Sequence, residues 1–450
     1  MECHHRRLRF WSSVAFGPSV KGLIKHLNRN GFDACARFHI SDEAYRSARG
    51  LLPRILLRLR MYVFYPLLLV IGILFEKRPT LHIVCTNPFY APFLAALASR
   101  LQIWITGRRS THRTPVIHWV YDLFPEALVQ SGKIHPEARL IRLMAWITRQ
   151  TFHLCAANVF LGQRLLATTQ QIYGPIPNAH VIPIGADSAP FSPKPPSQKA
   201  TTYSAGTLTL LYCGNMGRLH DIDTLAGSLI QGPHNGFGPQ RLNFQFYANG
   251  AHYQKLRGKF DKTPLPKGIT LEFHSSLATR NWVSVMSRAD IALVTMSKGA
   301  QKVIMPSKTY SALAAGQAIL AICPQDSDLA DLVKRHDCGW IVTPENFRSS
   351  EANDNTSGIK KLQTLLKQLA HEPEAIFLKR KHAYYASHHY YDAPVLAKQW
   401  AALIHKIATR GQENDVPPPK PDGNGCLESE SSDSNRGKAH LLSKFNGEAE

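Results

Sequence analysis

The segment Leu208–Leu225, LTLLYCGNMGRLHDIDTL, decides how this 450-residue chain is interpreted. An apolar run rich in Leu and Tyr ends at Gly214, a turn follows through Gly217 and Arg218, and helix-like sequence resumes near Asp223. A strand, a glycine turn and a helix N-terminus favour an anion, because backbone N–H groups, the helix dipole and an arginine all attract negative charge. An ordinary strand–turn–helix joint has the same pattern, so the segment alone does not establish a diphosphate site.

A second motif strengthens that interpretation. The stretch Met305–Ala321, MPSKTYSALAAGQAILA, predicts a loop, a helix that Gly316 ends, and a strand. Pro306 suits the first turn of such a helix, which puts Ser307 and Lys308 at its positive end, where a phosphate would meet N–H donors and a point charge. An unspecialised amphipathic helix explains the alanines of the stretch but not a lysine at this end.

Composition narrows the function classes. A length of 450 residues predicts two folded domains and a tail, and a hydrophobic content of 44% is enough for a sizeable interior. The formal net charge is +21. Residues 1–150 hold 22 Lys and Arg against 8 Asp and Glu, so we expect a basic first half that faces an anionic surface, although a solvated exterior gives the same count. No RNA-binding or helix-turn-helix signature occurs in the sequence, which argues against a nucleic-acid partner.

Cysteine usage and the N-terminal residues predict a cytoplasmic location. The eight cysteines form no CxxC pair, and this usage is typical of reduced thiols in a reducing cytosol. The N-terminal stretch MECHHRRLRFWSS is basic but lacks an apolar run, so we expect no secretory signal.

One segment has the composition of a membrane contact. The fifteen residues Met61–Phe75, MYVFYPLLLVIGILF, are apolar and are flanked within 54–78 by arginines and by Lys77-Arg78. They fall short of the roughly 20 residues that a spanning helix needs. A helix that dips into the inner leaflet and a buried core helix both fit this pattern.

Short β-branched and aromatic runs alternate with helical stretches along the whole chain. This alternation predicts an α/β fold with two parallel sheets, and therefore two Rossmann-like domains. The expected strands are Leu8–Val14, Ala34–His39, Leu81–Cys85, Val116–Tyr121, Asn158–Leu161, His180–Ile184, Leu208–Cys213, Asn243–Tyr247, Thr270–Phe273, Ile291–Thr295, Ile319–Ile322 and Trp340–Val342.

Composition shifts define the expected domain boundaries. We expect an N-terminal domain over 1–190, a Pro- and Ser-rich linker over 191–205, and a C-terminal domain over 206–371. Helices over 372–410 should pack back toward the N-terminal domain, and the polar tail 411–450 should be disordered.

Two further patterns are set aside. Asp221-Ile222-Asp223 is formally a DxD motif, but aspartates at a helix start more often act as caps. The histidines His118, His220 and His274 stand apart without ligand spacing, and lone histidines are more often structural. We therefore expect no metal site.

The motifs together resemble the retaining GT-B glycosyltransferases of group 1 (family 4), particularly the bacterial sugar transferases of capsule, exopolysaccharide and O-antigen assembly. They occur in family order over about residues 80–345, and the combination is specific where each motif alone is weak. The motifs are Val120–Gly132, Ile182–Asp187 with Phe191, Tyr212–Leu225, Phe246–Gly250, Met305–Ala321 and Cys338–Trp340.

The resemblance implies a nucleotide-sugar in a cleft between two facing domains, with UDP the favoured nucleotide and no metal or other cofactor. On the acceptor side it implies Asp122 and Glu126, and a helix-cap role for Glu126 is equally consistent with its position. The implied donor-binding residues are Gly214, Asn215, Gly217, Arg218, Tyr247, Asn249, Gly250, Pro306, Ser307 and Lys308.

Such enzymes transfer the sugar with retention and without an obvious protein nucleophile. The resemblance implies catalytic roles for Asp122, Arg218 and Lys308, the two cations offsetting charge that grows on the departing diphosphate. The implied acceptor is a glycan, lipid-linked in surface polysaccharide synthesis, and the implied location is the cytoplasmic face of the inner membrane. Many members carry a pair of glutamates where this chain has Val303 and Ser311, so an inactive GT-B binding protein stays as an alternative. A nucleotide-sugar epimerase of the same architecture is a second alternative.

Overall fold

The computed structural model describes residues 7–41, 44–45, 50–106, 114–191, 195–196, 206–261, 263–277, 279–345 and 357–413. Most of the expected linker, 192–194 and 197–205, and the expected tail from 414 onward lie outside the described residues. Within them the chain forms two parallel six-stranded sheets with helices around each, as the alternating pattern predicts.

The first sheet has the strand order β2-β1-β3-β4-β5-β6 and is parallel throughout. Its central strands are apolar and fully buried because helices cover both faces. The elements are β1 (Arg7–Val14), α1 (Pro18–Arg29), β2 (Asp33–Ile40), α2 (Leu51–Leu59), a π-helical turn (Arg60–Phe64), α3 (Tyr65–Leu74), β3 (Thr80–Cys85), α4 (Ala91–Thr106), β4 (Val116–Val120), α5 (Glu126–Gln130), α6 (Arg139–Leu154), β5 (Ala157–Phe160), α7 (Gln163–Tyr173) and β6 (Ala179–Val181).

The second sheet has the order β12-β11-β10-β7-β8-β9, again parallel. β7 lies at its centre and ends at the glycine turn. The elements are β7 (Thr207–Asn215), α8 (Asp223–Ile230), β8 (Arg241–Asn249), α9 (Ala251–Phe260), β9 (Ile269–His274), α10 (Thr279–Arg288), β10 (Ile291–Thr295), a 3-10 turn (Ala300–Lys302), α11 (Lys308–Ala314), β11 (Ala318–Ile322), α12 (Asp328–His336), β12 (Gly339–Val342) and α13 (Gly358–Leu369). All twelve expected strands are present, eleven of them within two residues of both predicted ends; β6 ends at Val181, three residues before the predicted Ile184.

The last helices return to the first sheet. After α14 (Pro373–Ala386) and a π-helical turn (Ser387–Tyr391), α15 (Ala393–Glu413) packs against α1. The fully buried Trp400 side chain of α15 lies 6.2 Å from the Phe10 ring and 5.1 Å from the Trp119 ring, centroid to centroid. The boundaries at 190, 205, 371 and 410 stay predictions.

Contacts between the two sheets hold their carboxyl ends face to face. Asp122, which follows β4, forms an isolated antiparallel bridge with Ile304 in the loop before α11. Leu123 N–H donates to the Val303 carbonyl at 2.9 Å. The Asp328 carboxylate of α12 accepts the N–H groups that begin α7, a helix of the first half. The cleft between the sheets is therefore bounded by direct hydrogen bonds.

The apolar segment differs from the expectation in length. The helices α2 and α3 and the π-helical turn between them form one continuous helix of 24 residues, Leu51–Leu74. By length and composition alone, this helix could cross a membrane. The sequence-based limit of fifteen residues was too short because Leu51–Leu59, despite its arginines, continues the same helix.

Candidate active site

A cavity of about 920 Å³ lies between the carboxyl ends of the two sheets. Parallel strands end at the same edge of a sheet, so the loops after β1, β3, β4 and β7 meet here. Residues of the first half that line it include Gly17, Lys21, Lys25, Thr86, Asn87, Asp122 and Asp187. Those of the second half include Gly214, Asn215, His220, Tyr247, Ser276, Trp282, Pro306, Ser307, Lys308 and Ser311.

Lys308 is held at the end of β7. Its ammonium group donates to the Tyr212 hydroxyl and, at 3.2 Å, to the Asn215 carbonyl. It also lies 3.9 Å from the centre of the Tyr212 ring, a cation–π distance. Desolvation lowers the pKa of Lys308 to about 7. The helix α11 begins at Lys308 with Ser307 as its N-cap. Both residues therefore lie at the helix start as predicted, whereas Pro306 precedes the helix and is not in its first turn.

The glycine turn packs against a second glycine. Met216 N–H donates to the Asn249 carbonyl at 2.7 Å, which joins the turn to the end of β8. Gly250 has φ +109°, and a Cβ added there would lie 2.6 Å from the Asn215 side-chain oxygen and 2.6 Å from the Met216 carbonyl oxygen. Gly250 therefore permits the close approach of the two loops, and Asn249 acts through its backbone.

Asp122 presents a carboxylate to the cavity from the first half. Desolvation raises its pKa to about 6, partly offset by Lys133. The Thr86 hydroxyl lies 3.1 Å from the Tyr121 backbone nitrogen and 3.3 Å from that of Asp122, so the N–H groups of both residues donate to it. Within the described part of the chain the carboxylate itself has no hydrogen-bond partner. It is therefore positioned for a hydroxyl group brought by a ligand.

Several expected site residues lie away from the cavity wall. Glu126 begins α5, accepts a 2.7 Å hydrogen bond from the Tyr173 hydroxyl, and has a pKa raised by burial. Arg218 is exposed, and neither it nor Gly217 lines the cavity. The structure thus brings together Asp122, Gly214, Asn215, Tyr247, Pro306, Ser307 and Lys308, but not Glu126, Gly217, Arg218, Asn249 or Gly250.

Comparison with known proteins agrees with this architecture. The structure is similar to the crystal structure of Anabaena Alr3699/HepE in complex with UDP-glucose, with a TM-score of 0.59 and 14% identity over 89% of this chain and 99% of that one. It is also similar to the crystal structure of WaaG, a glycosyltransferase involved in lipopolysaccharide biosynthesis, with a TM-score of 0.56 and 12% identity over 88% and 99%.

The chain has the GT-B fold.

Among curated proteins, a probable glycosyltransferase, WbjE of Pseudomonas aeruginosa, is 24% identical over 237 residues, which are 50% of this chain and 56% of that protein. No family model matches the chain. The curated match and the GT-B fold confirm the resemblance to GT-B glycosyltransferases of group 1 that the motifs predict.

The GT-B cleft contains residues that the sequence did not single out. Lys21 and Lys25 are exposed on α1, one helical turn apart, and Trp282 comes from α10. On an amphipathic helix, the spacing of these residues does not distinguish a ligand-binding site from an ordinary exposed face. Their position in the cleft becomes evident only from the packing of the two halves. Trp282 also packs edge-on against Phe191, with ring centroids 5.2 Å apart.

Of the residues that depart from the family pattern, Ser311 and His220 line the cleft and Val303 does not. Ser311 lines the cavity one turn after Lys308, whereas Val303 is buried in the core beneath the Asp122 loop. His220 also lines the cavity, and its Nδ1 lies 2.7 Å from the Thr295 carbonyl oxygen. Burial holds the pKa of His220 well below its usual value, so the ring is neutral and does not replace a second cation.

The DxD-like pair is structural. Asp221 accepts the Thr224 N–H at 3.1 Å, and Asp223 accepts a hydrogen bond from Lys259 at 2.6 Å. Both aspartates thus act at the start of α8, one as a cap and one in an ion pair. Among the described residues no group of three or more His, Cys, Asp or Glu is placed to hold a metal ion.

Proposed function

We propose that this protein is a glycosyltransferase that moves a sugar from a UDP-sugar to a glycan acceptor with retention of configuration. The observation that carries the proposal is the cavity between the two sheets. The Lys308 ammonium and the Gly214 turn lie on one wall, and the other wall includes the Asp122 carboxylate, to which no described residue donates a hydrogen bond. The similarity to a probable glycosyltransferase and to a GT-B structure in complex with UDP-glucose supports it.

The donor diphosphate would lie against Lys308, Ser307 and the turn at Gly214. Lys308 is already oriented by Tyr212 and Asn215, so little side-chain freedom remains to be lost on binding. A bound diphosphate raises the pKa of the lysine and draws it into the cationic form. The cation then stabilises the charge that develops on the leaving diphosphate as the glycosidic bond breaks.

Retention follows from attack on the face that the diphosphate leaves. The acceptor hydroxyl would pass its proton to a phosphate oxygen of the departing nucleotide. Asp122 would accept a hydrogen bond from a hydroxyl of the transferred sugar or of the acceptor, since no residue that the structure describes donates to its carboxylate. Arg218, exposed beside the turn, would reach the diphosphate only from the rim of the cleft.

We propose further that the glycan acceptor is lipid-linked and that the protein acts at the cytoplasmic face of the inner membrane. The similarity to WaaG, a glycosyltransferase of lipopolysaccharide biosynthesis, supports a surface-glycan acceptor. The helix Leu51–Leu74 supports a membrane contact, because only 22% of its most apolar window is buried.

Thermal unfolding tests the donor site. UDP, GDP, ADP and their sugars are added to wild-type protein, Lys308→Ala and the matched control Lys302→Ala, whose lysine is exposed outside the cavity. We expect UDP and UDP-sugars to stabilise wild type and Lys302→Ala by about 2.7 kcal/mol at a hundredfold excess over Kd, and Lys308→Ala far less. Release of UDP that depends on an added glycan acceptor, with the anomeric configuration of the product read by NMR, then tests transfer.

The outcomes separate the alternatives. A nucleotide shift without transfer to any lipid-linked or soluble glycan would leave an inactive binding protein. Interconversion of the sugar without an acceptor would indicate an epimerase. The absence of a shift with every nucleotide would overturn the proposed donor site.

A further inference from the structure

One face of the first sheet carries a layer of three helices whose outer sides are apolar. In a parallel sheet of order β2-β1-β3-β4-β5, the right-handed crossovers after β2, β3 and β4 all lie on the same face. The helix Leu51–Leu74, α4 and α6 therefore lie side by side, and α4 contacts both neighbours. We call the outward side of these helices the outer helical face.

Large apolar side chains project from the outer helical face into solvent. These side chains are strongly exposed: Leu52 and Trp104 are each 81% exposed, and Trp146 is 52% exposed. Each helix contributes residues at helical spacing. The set is Leu51, Leu52, Ile55, Leu56, Leu59, Val63, Phe64, Leu67, Leu68, Ile71, Phe75, Leu97, Leu101, Trp104, Ile105, Leu140, Leu143 and Trp146. An exposed apolar surface of this extent marks an interaction site.

The charge of the same helices is one-sided. The segments 51–74, 91–106 and 139–154 contain seven arginines and neither Asp nor Glu. Arg54, Arg58, Arg100, Arg139 and Arg142 are exposed beside the apolar side chains. Arginine flanking apolar residues, with tryptophan between them, matches a bilayer interface with anionic headgroups, whereas a second copy of the same basic face would repel it.

The inner side of the long helix argues against a membrane-spanning position. Tyr65, Leu69 and Ile73 are buried against the first sheet and α4. Gly72 approaches the sheet so closely that an added Cβ would lie 2.8 Å from a ring carbon of Trp11. Inserting this helix across a bilayer would strip the sheet of its cover, so the helix can enter lipid only on its outer side.

We propose that the outer helical face docks this protein on an anionic bilayer, with the outward sides of the helix Leu51–Leu74, α4 and α6 in the headgroup region and no segment of the layer crossing it. The proposal deepens the proposed function by naming the surface at which the cleft works. Asn87, which lines the cavity, lies four residues before α4 begins, so the docked face lies beside the cleft. The proposed function explains why the protein would dock on a bilayer, but bilayer binding itself can be measured without sugar transfer.

Vesicle co-sedimentation tests the apolar part. The full chain is spun with vesicles of equal phosphatidylcholine and phosphatidylglycerol, and with phosphatidylcholine alone. We expect binding to the anionic vesicles, and at least tenfold weaker binding of the double variant Trp104→Ser/Leu143→Ser. The control Ile230→Ser/Leu378→Ser removes two apolar side chains elsewhere that are 40% and 47% exposed, and it should bind like wild type.

A second pair tests the charge. Arg139→Gln/Arg142→Gln should weaken binding to anionic vesicles by about fivefold for each charge, whereas Arg257→Gln/Lys367→Gln on the other half should not. Each variant must retain the UDP-induced thermal shift of wild type, which shows that it is folded and separates a docking defect from a failed donor site. If the protein binds vesicles but no nucleotide, the proposed function fails and the docking proposal stands.

Three results would overturn the docking proposal. The first is equal vesicle binding by the face variants and their controls. The second is bound protein that resists alkaline carbonate extraction, which would indicate a spanning helix. The third is a wild-type dimer in solution that ignores vesicles and that Trp104→Ser/Leu143→Ser dissociates, which would assign the face to self-association.

Discussion

The ammonium group of Lys308 lies 3.9 Å from the centre of the Tyr212 ring and donates to the hydroxyl of the same side chain. The Tyr212 hydroxyl in turn donates to the Asn215 carbonyl at 2.9 Å. A lysine on α11 is thus tied to the glycine turn after β7 before any ligand arrives. Because it is desolvated there, its pKa is about 7, and its charge depends on pH in the physiological range.

Donor affinity should therefore depend on pH. Lys308 is cationic below its pKa and neutral above it, so the Kd for UDP-glucose, whose diphosphate stays fully ionised, should rise about tenfold between pH 6 and pH 8. Isothermal titration calorimetry in buffers of different ionisation enthalpy should show proton uptake on binding at pH 8. Lys308→Ala should bind weakly with no pH dependence, and Lys302→Ala should follow wild type. An unchanged Kd across this range in wild type would remove Lys308 from the donor site.

Asp122→Asn should stabilise the fold while it abolishes activity. The folded-state pKa of Asp122, about 6, is above the unfolded value of 3.8. Between these two pH values the folded state binds more protons than the unfolded state, so the protein loses stability as the pH rises from about 4 to about 6, and the full loss is present above pH 6. At pH 7.5 the variant should gain up to about 3 kcal/mol in free energy of unfolding, and near pH 4 almost nothing. Urea titrations at both pH values measure this gain. Transfer should fall by about a hundredfold or more; a variant that is destabilised and fully active would mean that Asp122 is structural.

The close approach of the two loops at Gly250 predicts that adding a single methyl group there lowers the free energy of unfolding substantially. Gly250→Ala requires φ +109° and a Cβ 2.6 Å from two oxygen atoms, so we expect a loss of about 2 kcal/mol or more in free energy of unfolding, together with weaker UDP binding. The control Gly258→Ala lies on α9 with nothing within 4 Å of the added Cβ. It should stabilise the helix by up to about 1 kcal/mol. Equal behaviour of the two variants in denaturant titrations would contradict the packing of the two loops.

The contact between the two halves at Gly162 and Asp328 suits a double-mutant cycle. A Cβ on Gly162 would lie 2.2 Å from the Asp328 carboxyl carbon, so Gly162→Ala should cost about 1–3 kcal/mol. Asp328→Ala removes the acceptor for the Arg164 and Leu165 N–H groups, 3.0 Å each, and should cost about 1–2 kcal/mol. In the Asp328→Ala background, Gly162→Ala should be nearly neutral. Additive costs in thermal or urea unfolding would mean that the two halves separate here in solution.

The strands were predictable because each is a short apolar run bounded by polar or glycine residues. Leu208–Cys213 and Ile319–Ile322 are buried on both faces of a parallel sheet, so the run itself carries the signal. The helix Leu51–Leu74 was harder. Its sequence is consistent with a core helix and with a lipid-facing helix. In the structure, one side of the helix is buried in the core and the other side is apolar and exposed.

Within the cleft, residues that belong to an anion-binding motif were predictable, and residues that face it from ordinary amphipathic helices were not. Lys308 and Gly214 belong to motifs with a local physical reason to face an anion. Lys21 and Trp282 line the same cavity only because two separate halves meet there, and no local pattern encodes that meeting. Glu126 and Arg218 illustrate the converse, since a difference of a few residues along a turn moves a side chain from the cavity wall to a tyrosine or to solvent.

The return of α15 to the first half has a consequence for synthesis on the ribosome. The Trp400 ring fills the space beside Phe10 and Trp119, so the first half cannot complete its core when its own strands have emerged. It must wait for more than two hundred further residues, which takes on the order of ten seconds or more at ordinary rates of chain elongation. During that interval the newly made first half exposes an unfilled aromatic core together with its outer helical face. Chaperones or the membrane itself would meet this half of the protein before its C-terminal helix does.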